Sequence, residues 1–398
     1  MIDGSPPTDG DDASRPSVTI VIPTYREAPN LPHLLRRIGV VRERLTHRID
    51  VIVVDDDSDD GTVETIERLG LPWVQLVVRK SDRGLSAAVL EGFRRARGDV
   101  LVCMDADLSH PPERLSAMLD ELAAGADFVL GSRYVEGGTT ADDWGPLRWI
   151  NSRVATWLAR PFTAVSDPMS GYFALQRGRF AAAAPLSPIG YKIGLELIVK
   201  CRCRKVVEVP IHFADRRYGH SKLTLHQQLL YLRHLRRLFV HKFGVWSHLA
   251  QFLVVGGLGT GVNLLALTAL LALSVPAQLA VAGAIVIAML FNFVLNRRIS
   301  FSYARHGSWP RQLAGFVAAC SLGAAINFAT TMLVNASYTA LPMQVAALLG
   351  IAAGTGVNFM VSRYLVFRAV HVRPATDIPP TESPAAGSEP ASDGSPRA

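Results

Sequence analysis

The sequence predicts two architectures in series: an α/β domain built on a mostly parallel sheet, then an all-α domain of four transmembrane helices. Three observations predict it. Short, wholly apolar runs alternate with stretches of helical periodicity over residues 18–131. Four apolar runs of membrane-spanning length follow residue 248. Between Leu249 and Arg363 the chain carries no Asp, Glu or Lys. Composition agrees. Of 398 residues, 49% are hydrophobic and 19% charged, and the mean hydropathy is +0.22. That is too apolar for a soluble protein of this size, and it excludes a chain that is disordered throughout.

Residues 1–16 set Asp3, Asp9, Asp11 and Asp12 against Arg15, with no apolar run. They read as a disordered tail and lack the basic start and apolar stretch of a secretory signal. The first strand is Val18–Pro23, ending in a Pro-Thr-Tyr turn. Leu31, Leu34, Leu35 and Ile38 then give helical spacing over Asn30–Leu45. Val51–Val54 is a second strand, running into Asp55-Asp56-Asp57-Ser58-Asp59-Asp60-Gly61 and a helix to Leu69. Val74–Val78 is a strand, Leu85–Ala96 a helix, Val100–Met104 a strand ending at Asp105-Ala106-Asp107, and Phe128–Gly131 a strand ending at Ser132-Arg133-Tyr134. Strands apolar at every position are buried on both faces, as in a parallel sheet between helix layers. Ligands of such sheets bind beyond the strands' carboxyl ends, where Tyr25, Asp56, Asp105, Asp107 and Arg133 stand.

Residues 223–247 repeat Leu225, Leu229, Leu232, Leu235 and Phe239 at helical spacing, with Arg233, Arg236, Arg237, His241 and Lys242 between them. Two readings of this amphipathic juxtamembrane helix stand: it lies on an anionic leaflet, or it packs on the α/β domain. Leu249–Leu273, Ala277–Leu295, Leu313–Val334 and Met343–Ser362 are each long enough to cross a bilayer, for which about 20 apolar residues suffice. Basic residues precede the first run, follow the fourth, and fill the break between the second and third with Arg297, Arg298, Arg305 and Arg311. The positive-inside rule assigns these segments, and both termini, to the cytoplasm of a cell (inner or plasma) membrane. Residues 369–398 read as a second tail.

The membrane part, 248–368, is internally repeated. Leu258-Gly259-Thr260-Gly261-Val262-Asn263 aligns with Leu322-Gly323-Ala324-Ala325-Ile326-Asn327, and Asn292-Phe293-x-x-Asn296-Arg297-x-x-x-Phe301 with Asn358-Phe359-x-x-Ser362-Arg363-x-x-x-Phe367. The matched asparagines read either as polar contacts between helices or as a patch for a lipid-linked headgroup. Cys103, Cys201, Cys203 and Cys320 have no compact spacing, so reduced thiols are expected in place of a disulfide framework or a zinc site.

The chemistry concentrates at Asp105-x-Asp107. Two carboxylates one residue apart at a strand end are expected on the same side, where their repulsion calls for a cation. Mg²⁺ and Mn²⁺ take such oxygen ligands and leave positions for phosphate oxygens. His110, before Pro111-Pro112, is expected to shape the loop, and Pro111-Pro112-Glu113 suits a helix start.

Several segments resemble the family 2 glycosyltransferases of the dolichol (polyprenol) phosphate mannose synthase group. They are Val21-Ile22-Pro23-Thr24-Tyr25-Arg26-Glu27, Val53-Val54-Asp55-Asp56-Asp57-Ser58, Met104-Asp105-Ala106-Asp107-Leu108-Ser109-His110-Pro111-Pro112-Glu113, Gly131-Ser132-Arg133-Tyr134, Ser170-Gly171-Tyr172, Gly190-Tyr191-Lys192-Ile193 and Arg216-x-Tyr218-Gly219-x-Ser221-Lys222. The likeness spans residues 17–222, in order. Residues 248–368 resemble the GtrA-type membrane domain.

The resemblance implies a Rossmann-like GT-A fold, a GDP-mannose donor, Mg²⁺ or Mn²⁺, and a polyprenyl (dolichyl) phosphate acceptor at the membrane, with no nucleic acid among the partners. It assigns Pro23, Tyr25, Glu27, Val54, Asp56, Asp105, Ala106, Asp107, Arg133, Arg216 and Lys222 to the donor. It assigns Asp105, Asp107 and Ser109 to the metal, although Ser109 stands where some relatives carry Gln. Arg133 and Arg148 fall to the reacting phosphates, Arg148 displaced by one inserted residue. A phosphate monoester is already an anion at neutral pH, so no general base is assigned and in-line attack inverts the sugar. A glucosyltransferase using UDP-glucose, and a lipid-sugar carrier or scaffold acting through the membrane half, are the alternatives. A processive polysaccharide synthase would carry Q-x-x-R-W, which this chain lacks.

Overall fold

β1 (Ser17–Thr24) is buried at every position, as an interior strand of the first sheet is. Its residues alternate between two cores: Val18, Ile20 and Ile22 on one face, Val21 on the other. The computed structural model describes residues 16–140, 146–187, 189–190, 192–214, 225–338 and 340–368. The tail readings for 1–15 and 369–398 lie outside them. The chain divides into two units, Met1–Gly244 and Val245–Ala398.

In the first unit β1 is followed by α1 (Leu31–Arg44), β2 (Arg48–Asp55), α2 (Thr62–Leu69), β3 (Val74–Val78), α3 (Leu85–Arg95), β4 (Val100–Cys103), α4 (Leu115–Ala123) and β5 (Phe128–Ser132). Then come β6 (Thr139–Thr140), α5 (Pro146–Ala159), β7 (Phe173–Gln176), α6 (Arg177–Ala181), α7 (Ile193–Lys200), β8 (Val206–Pro210), β9 (His212–Phe213) and α8 (Leu225–Phe243). Seven strands form one sheet in the order β3-β2-β1-β4-β7-β5-β8, and β6 pairs with β9. Only β7 runs antiparallel to its neighbours in that sheet. Leu31, Leu34, Leu35 and Ile38 of α1 pack with Leu115, Met118 and Leu119 of α4 on one face. Val89, Leu90 and Phe93 of α3 pack with Ile193, Leu197 and Ile198 on the other. This is the predicted GT-A-type sheet between two helix layers, and it sets the ends of β1, β2, β4 and β5 along one edge.

The juxtamembrane helix is α8, and it packs within its own unit. Tyr231, Leu235 and Leu238 are buried against Ala159, Phe162 and Leu195. The Tyr231 hydroxyl donates to the Ala155 carbonyl at 2.8 Å, and Lys242 Nζ donates to the Pro161 carbonyl at 2.8 Å. Leu229 and Leu232 stay exposed beside Arg233. Gly244, at φ +51°, ends the helix in the left-handed region that costs glycine least.

The second unit holds α9 (Val245–Ala272), α10 (Ala277–Leu295), α11 (Trp309–Ser337) and α12 (Met343–Val361). All four are long and apolar enough to cross a membrane, so the chain is a multi-pass membrane protein. The repeat is structural as well as sequential. Gly259 and Gly323 stand at matched positions, as do Asn292 and Asn358. A Cβ on Gly259 would lie 2.1 Å from the Asn292 amide oxygen, and one on Gly323 would lie 3.1 Å from Asn358 Cβ. The glycines let each hairpin close around its asparagine: Asn358 Nδ2 donates to Cys320 Sγ of α11 at 3.6 Å, whereas Asn292 Oδ1 is buried without a hydrogen-bond partner. Both α10 and α12 end in a π-helical turn, Asn296–Ser300 and Ser362–Val366. Phe301 and Phe367, one after each turn, stack at 4.9 Å in a core with Phe293, Phe316 and Phe359.

Candidate active site

The turns after β1 and β2 are built as one piece. Asp55 is fully buried and accepts from Thr24 Oγ1 at 3.0 Å, Ser58 N at 2.7 Å and Ser58 Oγ at 2.7 Å. Asp60 accepts from the Ala28 amide at 3.0 Å, and Ser58 Oγ accepts from the Arg26 amide at 2.8 Å. Pro23, the last residue of β1 but one, pairs with Val54 of β2. Tyr25 projects into solvent with Arg26 over its ring, and Glu27 accepts from Asn30 Nδ2 at 2.6 Å. The Val54 side chain is fully buried, so only its backbone can meet a ligand. Asp56 is committed at both oxygens, to Arg79 Nη1 at 2.8 Å and to the Gly84 amide at 2.6 Å. It thereby shapes the β3–α3 loop, which walls a cleft of about 700 Å³ lined by Arg79, Asp82, Gly84, Arg94 and Gly190.

The acidic pair lies beyond β4, which ends at Cys103, one residue earlier than expected. Strand alternation therefore does not govern it, and Leu108 turns through φ +67°. Asp105 keeps a quarter of its side chain exposed, whereas Asp107 is buried. The Asp107 carboxylate accepts from both the Ser109 amide, at 3.1 Å, and the Ser109 hydroxyl. Ser109 has no exposed surface, and its two bonds to Asp107 hold that carboxylate in place. Ala106 is buried between the two acids. His110 Nδ1 accepts from the Asp105 amide at 3.0 Å, which puts the proton of the neutral ring on Nε2, 3.8 Å from Asp105 Oδ2. Its ring is buried and stacked on Tyr172, so it shapes the loop.

Gly171 borders the Asp105 carboxylate. A Cβ there would lie 3.1 and 3.2 Å from its two oxygens, closer than side-chain carbons ordinarily approach. Among the described residues no cluster of three or more His, Cys, Asp or Glu is arranged to hold a metal. Two carboxylates with space kept open beside one of them fit a hard divalent cation that completes its shell with water and phosphate oxygens.

Arg133 follows β5 and is almost wholly buried. Its Nε and Nη2 donate to the two oxygens of Asp167 at 2.7 Å each, and its amide donates to Asp167 Oδ2 at 3.2 Å. Burial disfavours the charge, but the Asp167 bonds outweigh it and hold the guanidinium pKa above its ordinary value. Phe213 and Tyr134 lie 5.0 and 5.2 Å from the guanidinium carbon. Asp167 is itself positioned by Glu208, which accepts from the Ser166 and Asp167 amides at 2.7 and 3.0 Å. Lys192 donates from Nζ to the Met169 carbonyl at 2.8 Å. Burial, then the charge of Arg133, lowers its pKa to about 7 against the opposing pull of Asp167 and Asp105.

Arg148 falls in the first turn of α5, while Arg216 and Lys222 lie outside the described residues. α5 exposes four large apolar side chains, Trp149, Ile150, Val154 and Trp157, the last 72% exposed, with exposed Asn151 and Arg153 among them. Sequence reasoning gave no role to Asp167, Lys192 or Arg79. Lys192 lay inside a recognised segment, and Asp167 stands three residues before another. The α5 stripe was legible as Trp149-x-x-x-x-Val154-x-x-Trp157, but it was not singled out.

Residues 19–178 match the model of glycosyl transferase family 2, and residues 251–367 match the GtrA/DPMS transmembrane domain. The chain is 36% identical over 355 residues to a dolichol-phosphate mannosyltransferase of Pyrococcus furiosus, covering 88% of this chain and 99% of that one. It is 41% identical over 241 residues to a dolichol-phosphate mannosyltransferase of Mycosarcoma maydis, covering 58% of this chain and 82% of the other. It is 38% identical over 218 residues to a polyprenol monophosphomannose synthase of Mycolicibacterium smegmatis, covering 52% and 80%. The first relative is matched through both units, the carboxylate turn and the repeated hairpins alike. The chain therefore belongs to glycosyltransferase family 2, in the dolichol-phosphate mannosyltransferase group, with a GtrA/DPMS transmembrane domain fused behind the catalytic one.

Proposed function

We propose that this glycosyltransferase moves a mannosyl group from GDP-mannose to a polyprenyl (dolichyl) phosphate on the cytoplasmic face of the membrane, releasing GDP. The observation that carries the reading is the strand-end site itself. The acids Asp105 and Asp107 stand with the buried cations Arg133 and Lys192, whose charges reach Asp105. Such a site suits two anionic reactants that must be brought together. The names of the relatives supply the sugar and the lipid.

In this reading Asp105 and Asp107 hold Mg²⁺ or Mn²⁺, with Ser109 fixing the angle of Asp107. The ion, when bound, offsets charge on the donor diphosphate. Pro23, Tyr25, Glu27, Asp56, Ala106 and the backbone of Val54 frame the nucleotide. Arg133 comes already oriented by Asp167, and Arg148, Arg216 and Lys222 meet phosphates. An acceptor phosphate oxygen attacks the anomeric carbon, its bond to the diphosphate breaks, and the electron pair leaves on GDP. The configuration inverts, and no general base is needed. The exposed Trp149, Ile150, Val154 and Trp157 of α5 meet the lipid surface. Residues 17–222 do the chemistry, and 248–368 supply the membrane location.

Full-length protein with a polyprenyl phosphate is the test, offered GDP-mannose, UDP-glucose or UDP-N-acetylglucosamine with Mn²⁺. Mannosyl phosphoryl lipid forming fastest is expected. Faster transfer from UDP-glucose would replace the sugar assignment, and no lipid product from any donor would overturn the reading.

A further inference from the structure

The two halves of the membrane repeat differ at one pair of matched arginines. Arg297 and Arg363 occupy the same place in the π-helical turns that end α10 and α12, and such turns recur at functional positions. Arg297 is bonded within the protein through two of its nitrogens. Its Nε donates to Gln312 Oε1 at 2.7 Å, and its Nη2 donates to the Gly307 carbonyl at 3.1 Å and to the Arg305 carbonyl. Arg363 is half-buried and has none of this: two of its three nitrogens, Nε and Nη1, are covered with no hydrogen-bond partner. The repeat explains the difference. The residue matching Gln312 in the first hairpin is His248, whose Nδ1 is bonded to the Ser300 carbonyl at 2.6 Å. Gln312 offers its partner an amide carbonyl oxygen, which an imidazole does not have.

Donor groups covered without a partner are costly to a fold. No counter-charge comes from the described residues of the same unit, because no Asp or Glu occurs in residues 245–376. Two tyrosines border the cation. The Tyr364 ring lies 5.5 Å from the guanidinium carbon, and the charge of Arg363 pulls the Tyr303 phenol pKa down against the burial that raises it. Arg363 stands in the turn that closes the last apolar helix, with exposed Arg368 one turn beyond. That is the depth at which lipid phosphates lie.

We propose that Arg363, with Tyr303 and Tyr364 at its edge, is a binding site for the phosphate of a membrane lipid, built from residues of the second unit and filled whether or not transfer occurs. The planar donor fork of arginine matches phosphate oxygens, and phenol hydroxyls add donors. The chemistry is shared by an anionic phospholipid and a polyprenyl phosphate, and the experiment separates them.

Full-length protein is titrated in detergent with phosphatidylglycerol, with a polyprenyl monophosphate and with inorganic phosphate, and bound lipid is counted by native mass spectrometry. Arg363→Gln should weaken binding of one of the two lipids about 10- to 100-fold, the effect of losing a charge-assisted bonded pair. Arg363→Lys should retain part of it, and Arg368→Gln should stay near wild type. The lipid arm that responds names the source. Equal lipid retention in Arg363→Gln and wild type overturns the site, and so does uptake of inorganic phosphate without lipid. A thermal measurement guards against misfolding. Without anionic lipid, Arg363→Gln should melt no lower than wild type, because it removes an uncompensated charge. Added lipid should raise the wild-type midpoint and leave the variant's unmoved; an equal rise in both also overturns the site.

Discussion

Asp167→Asn tests the architecture of the catalytic cleft most directly. Asp167 is fully buried and Arg133 is 10% exposed, and three hydrogen bonds join them, two at 2.7 Å. The asparagine keeps the shape but turns an amide NH₂ toward one guanidinium donor, leaving a buried charge uncompensated. Breaking a buried pair from one side costs about 3–5 kcal/mol. For a unit of this size each kcal/mol moves a thermal midpoint by about 2–4 °C, so a fall of roughly 6–20 °C is expected. Differential scanning calorimetry of the full-length protein, with the transition of the first unit followed by near-ultraviolet circular dichroism, reads that shift. Transfer should fall with it, because Arg133 loses its fixed orientation. The informative comparison is the double variant Arg133→Met/Asp167→Leu. Removing both charges should recover most of the stability while transfer stays lost, giving a coupling energy well above 1 kcal/mol in a double-mutant cycle. Additive losses, or a single-variant cost below about 1 kcal/mol, would show that the pair does not organise the site.

Three further outcomes follow from the same geometry. Asp107→Ala should abolish metal-dependent transfer while the protein still folds; normal activity with metal still required, in a transfer assay over a Mn²⁺ series, would remove Asp107 from the site. Gly171→Ala places a carbon 3.1–3.2 Å from the Asp105 oxygens and should weaken the apparent Mn²⁺ affinity about 10- to 100-fold, with the melting point nearly unchanged. Lys192, with its pKa lowered to about 7 from 10.5, binds fewer protons in the folded state than in the unfolded state between those values. Its burial penalty is therefore fully present below pH 7 and is relieved as pH rises through that window. A diphosphate bound nearby should return the charge, so at pH 8.5 nucleotide binding should take up as much as about one proton. Calorimetry in buffers of different ionisation enthalpy measures this uptake, and Lys192→Met should abolish it.

The large features were legible because they repeat. Unalternating apolar strands such as Val51–Val54 and acid-free runs such as Ala277–Leu295 each state their burial many times over. The bounds of β3 agree to the residue. What escaped the sequence depends on partners brought from far along the chain. Asp167 matters through Arg133, 34 residues away, and no local period marks either. The same-side placement of Asp105 and Asp107 assumed a strand that stops at Cys103. The amphipathic pattern of α8 fitted a leaflet and a protein groove equally well, and only Tyr231 and Leu238 buried beneath α5 and α7 decide that one face is spent inside the unit.

The six-residue run from Asp55 to Asp60 looks, as a string, like loose negative charge waiting for a cation. In the fold, Asp55, Asp56 and Asp60 are spent on the amides, hydroxyls and guanidinium that freeze the β1 and β2 turns into one rigid rim. A nucleotide arriving there meets groups already at rest, and little loop entropy is left to be surrendered on binding. Free and occupied forms of this rim should therefore differ mainly in side-chain positions such as that of Tyr25. Slow steps in turnover should then arise elsewhere, in segments that must still move to admit a lipid.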